Sequence, residues 1–291
     1  MRISLTVCKQ DDLIDPGNKL PCCKGEIPLA KFCVLASSSA GNSTYISCAA
    51  GALLVDAGIS CRRIVNAIAE IGESASELKA VLITHEHTDH IKGLCNLVKK
   101  TGAVVYATGP VLEFIAANNH VPAGATLVEV TAQPFEAAGM RVQAFATPHD
   151  SAASVGYRLT LPNEQTVAVA TDLGEITDEV AQGVMGCRTV LLEANYDPQL
   201  LRMGPYPWFL KQRIASRNGH LENAHSAAFA AALVESGTAQ LFLGHLSREN
   251  NNPALAEQTV AAALAEHGAR RGVDFELDVA PYDCASRLVR F

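Results

Sequence analysis

The sequence predicts an α/β domain, and its apolar pattern gives two reasons for that fold class. Between residues 31 and 118, short apolar runs typical of buried strands alternate with segments whose apolar residues recur at helical spacing. Short alternating strands follow from residue 127 to 161, and strands alternate with helices again after residue 166. No internal repeat and no low-complexity linker divides this region. We therefore expect one domain over residues 31–291.

Residues 1–30 differ in composition from the rest of the chain. Residues that interrupt any periodic pattern are frequent there: Asp11, Asp12, Pro16, Gly17, Asn18, Pro21 and Pro28. We expect a loosely ordered N-terminal extension that is dispensable for folding. Cys8 and the pair Cys22–Cys23 do not make a metal knuckle, because no CxxC pair accompanies them.

Each element of the domain follows from local patterns. The first half predicts the strands Lys31–Leu35, Ser43–Cys48, Ala52–Val55, Val81–Ile83 and Val104–Tyr106 and the helices Ile59–Ile71, His90–Lys100 and Gly109–Asn118. The second half predicts the strands Leu127–Val130, Phe135–Ala137, Met140–Phe145, Ser154–Leu161, Thr166–Ala170, Thr189–Leu192, Gln240–Leu243, Asp274–Val279 and Ser286–Val289 and the helices Glu175–Val184, Ala224–Glu235 and Pro253–His267.

The composition indicates a soluble, cytoplasmic protein. Hydrophobic residues make up 48% of the chain and charged residues 18%, which is enough for a large core. The longest apolar runs are far shorter than the roughly 20 residues of a membrane-spanning helix, and no secretory signal precedes them. The nine cysteines are odd in number, scattered and mostly in apolar runs. That usage is typical of reduced, buried thiols.

The charge distribution separates one segment from the rest. The formal net charge of −7 argues against a broad surface that coats nucleic acid. Residues 198–221, however, contain four cations and no acid: Arg202, Lys211, Arg213 and Arg217. We expect this segment to be either a solvated helix face or a local surface that holds phosphates.

Three histidines and two carboxylates crowd the stretch THEHTDH, residues 84–90. The apolar run Ala80–Ile83 before it predicts a buried strand, and residues 91–94 predict the start of a helix. Side chains on such a strand-to-helix loop can converge on one point. Imidazole and carboxylate are both ligands of zinc and similar ions. We therefore predict that His85, His87, Asp89 and His90 bind metal.

Three further candidates each follow an apolar strand: His149, Asp172 and His245. Ligands at strand ends can meet along one edge of a sheet. One metal ion can then use His85, His87 and His149, a second can use Asp89, His90 and His245, and Asp172 can bridge them. Five imidazoles and two carboxylates fit Zn²⁺ well and Mn²⁺ or Fe²⁺ adequately. For Asp56, at a strand end before Ala57-Gly58, we favour a supporting position over ligation.

The order HxHxDH, His, Asp, His resembles the metallo-β-lactamase fold superfamily, as do the turn ending at Gly41-Asn42 and the sequence Val55-Asp56-Ala57-Gly58. Over about residues 32–291, a set of segments is similar to the bacterial YycJ/WalJ-type exonuclease-related family: SSSAGNSTYI, LVDAGIS, LITHEHTDHIKGL, TPHD, ATDLG, EANYD, YPWFLKQRI, NGHL and GHLSRENN. The resemblance implies a four-layer αβ/βα sandwich with two metal ions between its sheets. It also implies hydrolysis of phosphodiesters in DNA, and so a nucleic-acid or small phosphodiester substrate.

The expected mechanism is attack on phosphorus by a hydroxide that bridges the two ions. Asp89 can both bind metal and orient this nucleophile. We select His220 as the group that protonates the leaving oxygen, the alternative being a loop histidine that only binds phosphate or packs. Lys211, Arg213 and Arg217 are candidate phosphate contacts.

Other functions use the same residues. A thioesterase or lactonase of this fold would need the same metals. A diiron redox enzyme is disfavoured, because that branch replaces the second histidine, here His87, and adds a flavin domain. A non-catalytic metal-binding signalling module would be expected to lose a ligand, and none is lost. Turnover of DNA or of bis(p-nitrophenyl) phosphate, against turnover of thioesters and lactones, discriminates among these alternatives.

Overall fold

Two β-sheets packed face to face form the centre of the fold in this computed structural model, which describes residues 7–8 and 30–291. The first sheet contains, of the described residues, the strands β1 (Val7–Cys8), β2 (Lys31–Ala36), β3 (Ser43–Cys48), β4 (Gly51–Val55), β5 (Leu78–Leu82), β6 (Val104–Ala107), β7 (Leu127–Glu129) and β15 (Val289–Arg290), in the spatial order 1-7-6-5-4-3-2-15. The second contains β8 (Phe135–Ala137), β9 (Met140–Ala146), β10 (Val155–Thr160), β11 (Thr166–Ala170), β12 (Thr189–Glu193), β13 (Gln240–Gly244) and β14 (Glu276–Val279), in the order 14-13-12-11-10-9-8.

The helices lie in the connections between strands, and six of them cover the outer faces of the two sheets. The helices are α1 (Cys61–Glu70), α2 (Thr88–Ile91), α3 (Leu94–Thr101), α4 (Gly109–Ala117), α5 (Asp178–Val184), α6 (Pro198–Met203), α7 (Trp208–Ile214), α8 (Asn223–Glu235) and α9 (Pro253–Glu266), with a 3₁₀ turn at Ala75–Glu77. Apolar residues of α1, α3 and α4 pack on the first sheet, and those of α5, α8 and α9 pack on the second. Within the described residues, no helix is long and apolar enough to cross a membrane.

The alternation of side chains along each strand divides the core into layers. In β2, Phe32 and Val34 enter the cluster between the sheets, whereas Cys33 and Leu35 enter the cluster beneath the helices. Phe32 meets Phe242 of the second sheet at a ring-centroid distance of 5.2 Å. The result is helix, sheet, sheet, helix in four layers, which confirms the predicted αβ/βα sandwich.

Several observed elements differ from the predicted ones. The predicted helix 90–100 is two helices, α2 and α3, with Gly93 between them. The Gly93 amide donates to the Ala57 carbonyl at 2.7 Å, and a Cβ at this position would lie 2.1 Å from the Ile59 carbonyl oxygen. The sequence pattern did not predict α6 and α7. The last strand begins only at Val289. Before it, the Ser286 amide donates to the Val34 carbonyl at 2.8 Å, and the Ser286 hydroxyl accepts from the Val34 amide at 3.0 Å.

The predicted N-terminal extension, residues 1–30, lies outside the described residues apart from Val7–Cys8 and residue 30. Val7 and Cys8 pair with Leu127 and Val128 of β7 in parallel. Cys22–Cys23 also lies outside the described part of the chain. The division of the chain at residue 31 stays a prediction.

Candidate metal centre

The candidate metal centre lies along the edge of the two sheets where several strands end. β11, β12 and β13 are parallel neighbours, and β9 runs in the same direction because β10 is antiparallel to both β9 and β11. Their carboxyl ends therefore meet at one edge. In the first sheet, β5 leads into the THEHTDH loop at the same place. Tyr157 of β10 joins the sheets here, because its buried hydroxyl donates to the Ile83 carbonyl at 2.8 Å.

All seven residues predicted to bind metal converge at this edge. Sets of side chains offer ligand atoms that lie within 4.8 Å of one another, among them His85 with His87 and His149, Asp89 with His90 and His245, and His85 with His90 and Asp172. The first two sets correspond to the two sites that we expected from the sequence. The third set joins Asp172 to His85 of the first set and to His90 of the second.

The histidine set has a feature that a cation would explain. His149 Nε2 lies 3.3 Å from His87 Nδ1, and His85 Nε2 is buried with no hydrogen-bond partner among the described residues. Burial lowers the pKa of His85 well below its usual value, so the ring is neutral. Buried polar atoms nearly always have a partner. An unpartnered, neutral imidazole nitrogen that faces two others fits a divalent cation.

Asp172 lies between the two sets. Its Oδ1 is 3.2 Å from His245 Nε2 and 3.7 Å from His149 Nε2, and its Oδ2 is 3.2 Å from His90 Nε2. The Oδ2 atom is buried and accepts no hydrogen bond from the described residues. Burial alone would raise the pKa of Asp172, but His245 and His90 hold it well below its usual range. A buried, ionised carboxylate of this kind suits a bridging ligand.

A carboxylate outside the predicted ligand set orients His90. The His90 Nδ1–H donates to Asp56 Oδ2 at 2.7 Å, which turns Nε2 toward the centre. Asp56 is itself held by the Thr84 amide, which donates to its Oδ1 at 2.9 Å. Burial would lower the pKa of His90, but Asp172 and Asp56 raise it well above its usual value. The surrounding carboxylates therefore stabilise positive charge at this point.

The side-chain amide of Asn42 contacts two members of the second ligand set, His90 and His245. Its Nδ2 lies 3.1 Å from His90 Nε2, and its Oδ1 accepts from His245 Nδ1 at 3.2 Å. The sequence pattern marks Asn42 only as the end of a turn. Nothing in that turn's composition indicated that its amide would contact two candidate ligands at once.

Backbone conformation is unusual at this edge. Asp56, Asp172 and His245 have positive φ angles of 62°, 58° and 54°. Residues other than glycine seldom adopt this left-handed region, and such conformations concentrate at functional sites. Asp56 and His245 directly follow β4 and β13, and Asp172 is the second residue after β11. The turn at each place aims the side chain at the centre.

Close backbone contact fixes the THEHTDH loop. The Asp89 carbonyl accepts from the Asn42 amide at 2.8 Å. A Cβ at Gly58 would lie 1.6 Å from the same carbonyl oxygen. Only glycine leaves room for this contact, which explains the Asp56-Ala57-Gly58 sequence.

His220 lies beside the centre and is held by a buried acid that the sequence analysis missed. Its Nδ1–H donates to Glu193 Oε1 at 2.8 Å, and Nδ1 lies 3.8 Å from Asp172 Oδ1. Glu193 is fully buried, and its Oε2 accepts from the Leu173 amide at 2.8 Å. Burial would lower the pKa of His220, but Glu193 raises it to about 9. Glu193 ends β12, so its strand-end position was an available signal.

Three of the four cations in the basic segment contact groups of the domain itself. Lys211 Nζ donates to the carbonyls of Arg202 and Gly204, both at 2.7 Å. Arg213 pairs with Asp150, and Arg217 donates to Glu175 at 2.9 Å. The three candidate phosphate contacts therefore have partners within the domain. Arg202 forms no ion pair with the described residues.

The chain is similar in sequence to known proteins over most of its length. Residues 52–246 match the model of the Beta-lactamase superfamily domain. The chain is 37% identical over 262 residues to the exodeoxyribonuclease WalJ of Streptococcus pneumoniae serotype 2 (strain D39 / NCTC 7466), covering 89% of this chain and 97% of that protein. It is 34% identical over 249 residues to the exodeoxyribonuclease YycJ of Bacillus anthracis, covering 84% and 93%.

Solved structures show the same fold at low identity. The metallo-beta-lactamase fold protein YhfI from Bacillus subtilis superposes with a TM-score of 0.66 at 18% identity, covering 89% of this chain and 99% of that one. Zn²⁺-bound PqqB from Methylobacterium extorquens gives a TM-score of 0.67 at 18% identity, covering 88% and 99%.

Proposed function

The chain belongs to the beta-lactamase superfamily, in the group that contains WalJ and YycJ, and from this premise we propose that it is a metal-dependent exodeoxyribonuclease. The reaction is hydrolysis of phosphodiester bonds from a DNA strand end. The single observation that supports it most is the convergence of seven ligand-type side chains, two of them with buried, unpartnered atoms, in a chain 37% identical to a nuclease.

The proposed centre holds two divalent cations, most simply Zn²⁺, with Mn²⁺ and Fe²⁺ as alternatives. His85, His87 and His149 would hold one, Asp89, His90 and His245 the other, and Asp172 would contact both. Such cations act as Lewis acids and lower the pKa of a coordinated water toward neutrality.

Asp89 and His220 have the proposed roles in proton transfer. Burial would raise the pKa of Asp89, but His90 holds it below its usual value. The Asp89 carboxylate can therefore accept the hydrogen bond that orients the attacking water. Glu193 binds the Nδ1–H of His220, which fixes the ring and leaves the Nε2 proton for the leaving oxygen. The Glu193–His220 pair stabilises the protonated imidazole before the reaction, and a proton from solvent restores it after the leaving oxygen has taken the first.

The proposal extends to domain limits and compartment. Residues 31–291 would form the hydrolase domain, with residues 1–30 outside it. The six cysteines in residues 30–291 are all free, which supports a reducing compartment such as the cytoplasm.

The test is a nuclease assay on the purified full chain loaded separately with Zn²⁺, Mn²⁺ and Fe²⁺. We expect release of nucleotides from the end of linear DNA with at least one of these ions, and none from the chelated protein. Turnover of acyl thioesters or lactones, with DNA left intact under all three ions, would instead indicate a different hydrolase of the same fold. Metal content measured on the same samples separates failure to load from failure to react.

A further inference from the structure

Large apolar side chains are exposed mainly in one short segment of the described chain. Leu200, Met203, Trp208 and Phe209 expose 37%, 81%, 70% and 72% of their surface, and outside this segment only Phe114 and Val273 among the described residues are comparable. Exposed patches of this kind usually mark an interaction surface. We call the surface formed by Met203, Trp208 and Phe209 the aromatic platform.

Hydrogen bonds fix the backbone of the helices that carry the platform. Lys211 Nζ donates to the last carbonyls of α6 and the turn after it, and thereby ties α7 to α6. The Gly204 amide closes α6 by donating to the Leu200 carbonyl at 2.7 Å. None of the residues of α7 is buried. Trp208 and Phe209 are thus fixed at the start of a helix whose sequence contributes nothing to the core.

α7 points from the platform toward the candidate metal centre. Arg213 in its last turn pairs with Asp150, whose Oδ1 lies 3.4 Å from His149 Nε2. The Ile214 carbonyl accepts from the His220 amide at 2.9 Å. Five residues of helix separate Trp208 from Arg213, a rise of roughly 7.5 Å. A strand whose end lies at the centre would therefore place its next nucleotides near the platform.

The cations in the segment around the platform favour an anionic partner. Arg202 has no ion pair among the described residues, and Lys211 is bonded only to neutral carbonyl oxygens. The segment 198–221 contains no acid of its own. Exposed aromatic rings beside cations are the usual surface for single-stranded nucleic acid, where bases stack on the rings and phosphates meet the cations.

We propose that Trp208 and Phe209 stack on unpaired bases of the DNA strand under degradation, so that the protein grips a single-stranded end next to the centre. This proposal rests on the nuclease function proposed above and adds the form of DNA that is held.

The chain offers a direct probe, because Trp208 is its only tryptophan. The metal-loaded protein would be titrated with a 12-nucleotide oligothymidylate whose phosphorothioate linkages resist cleavage, and with an abasic oligomer of the same length. Stacking quenches tryptophan emission, so we expect quenching by the oligothymidylate and little change with the abasic strand. Equal responses to both would overturn the proposal, since charge alone would then account for binding.

Variants give a second readout. Phe209→Ala should weaken oligothymidylate binding about 5- to 150-fold, the loss of one base–aromatic stack, and Trp208→Phe should retain most of the affinity. Val273→Ala, an exposed apolar residue on the loop after α9, is the matched control and should bind as the parent does. Unchanged binding in Phe209→Ala would overturn the proposal, as would sedimentation showing that the parent is a dimer and Phe209→Ala a monomer. DNA cleavage by the parent protein, measured separately, reports on the nuclease function itself.

Discussion

The metal centre and the basic segment 198–221 lie side by side but are built in opposite ways. In the centre, His85, His90 and Asp172 are buried, and the surrounding side chains fix their positions through several contacts. In the segment, α7 buries none of its residues. A buried cluster of ionisable groups is too costly to persist without a function, so its sequence indicates its chemistry. An exposed run of cations has many uses, and only the structure shows which ones are engaged.

The largest effect is expected from a substitution of Asp172, which lies between the two ligand sets. Asp172→Asn keeps the size of the side chain and tolerates the positive φ of 58°, but it removes the negative charge that faces His90 and His245. Loss of a residue that merely supports a ligand typically costs 10- to 100-fold in metal affinity. We expect more than about 100-fold here, measured by metal titration, with DNA cleavage lost in parallel. Asp274→Asn, which lies on the surface beside Arg270, should bind metal normally. Normal metal content and turnover in Asp172→Asn would rule out the bridging role.

A smaller effect, on chemistry rather than metal, is expected at His220. His220→Ala should keep metal and fold but lower kcat on DNA by roughly 10²- to 10⁴-fold, the usual range for a general acid. A substrate with a good leaving group, such as bis(p-nitrophenyl) phosphate, should be affected much less.

The matched variant for this prediction is Glu193→Gln, which keeps the shape of the acceptor and removes its charge. It should show the same dependence on leaving group with a smaller loss. Equal losses on good and poor leaving groups would leave His220 as a binding or structural residue.

The basic segment should show the smaller, salt-dependent effects of phosphate contacts. Arg202→Ala removes a cation without an ion pair, so the slope of log K against log salt for single-stranded DNA should fall in magnitude by about 0.7. Arg213→Ala removes a cation already paired with Asp150 and should change this slope less. The same change in both variants would show that the ion pair opens when DNA binds.

The smallest effect is expected from the N-terminal residues. A chain that starts at Lys31 should fold, bind metal and cleave DNA as the full chain does, because the candidate ligands and, apart from Ala30, all members of the three hydrophobic clusters lie after that point. Loss of the short pairing of Val7–Cys8 should lower the melting temperature by no more than about 2–4 °C, the shift for roughly 1 kcal/mol. A large drop in melting temperature or activity would show that residues 1–30 are structural.

Much of the fold and of the centre followed from local sequence. Strand runs such as Thr166–Ala170 were predicted at their observed bounds because their apolar patterns are strong. The seven candidate ligands were found because each lies in the THEHTDH loop or within three residues of the end of such a strand. Gly93 broke the predicted helix for a reason that only tertiary contact reveals.

Other features had only a weak local signal or none. Glu193 looked like the first residue of a loop, although its carboxylate is buried against His220 and the Leu173 amide. Asn42 contacts His90 and His245, which are 48 and 203 residues away along the chain. Lys211 was a candidate phosphate contact, with a solvated helix face as the alternative, and its Nζ donates instead to the Arg202 and Gly204 carbonyls at the end of α6.

Anomalous diffraction from crystals of the Zn²⁺-loaded full chain tests the central claim most directly. We predict two peaks, one enclosed by His85, His87 and His149 and the other by Asp89, His90 and His245, with a carboxylate oxygen of Asp172 in contact with each. A single peak, or zinc bound away from these residues in a protein that still cleaves DNA, would contradict the account.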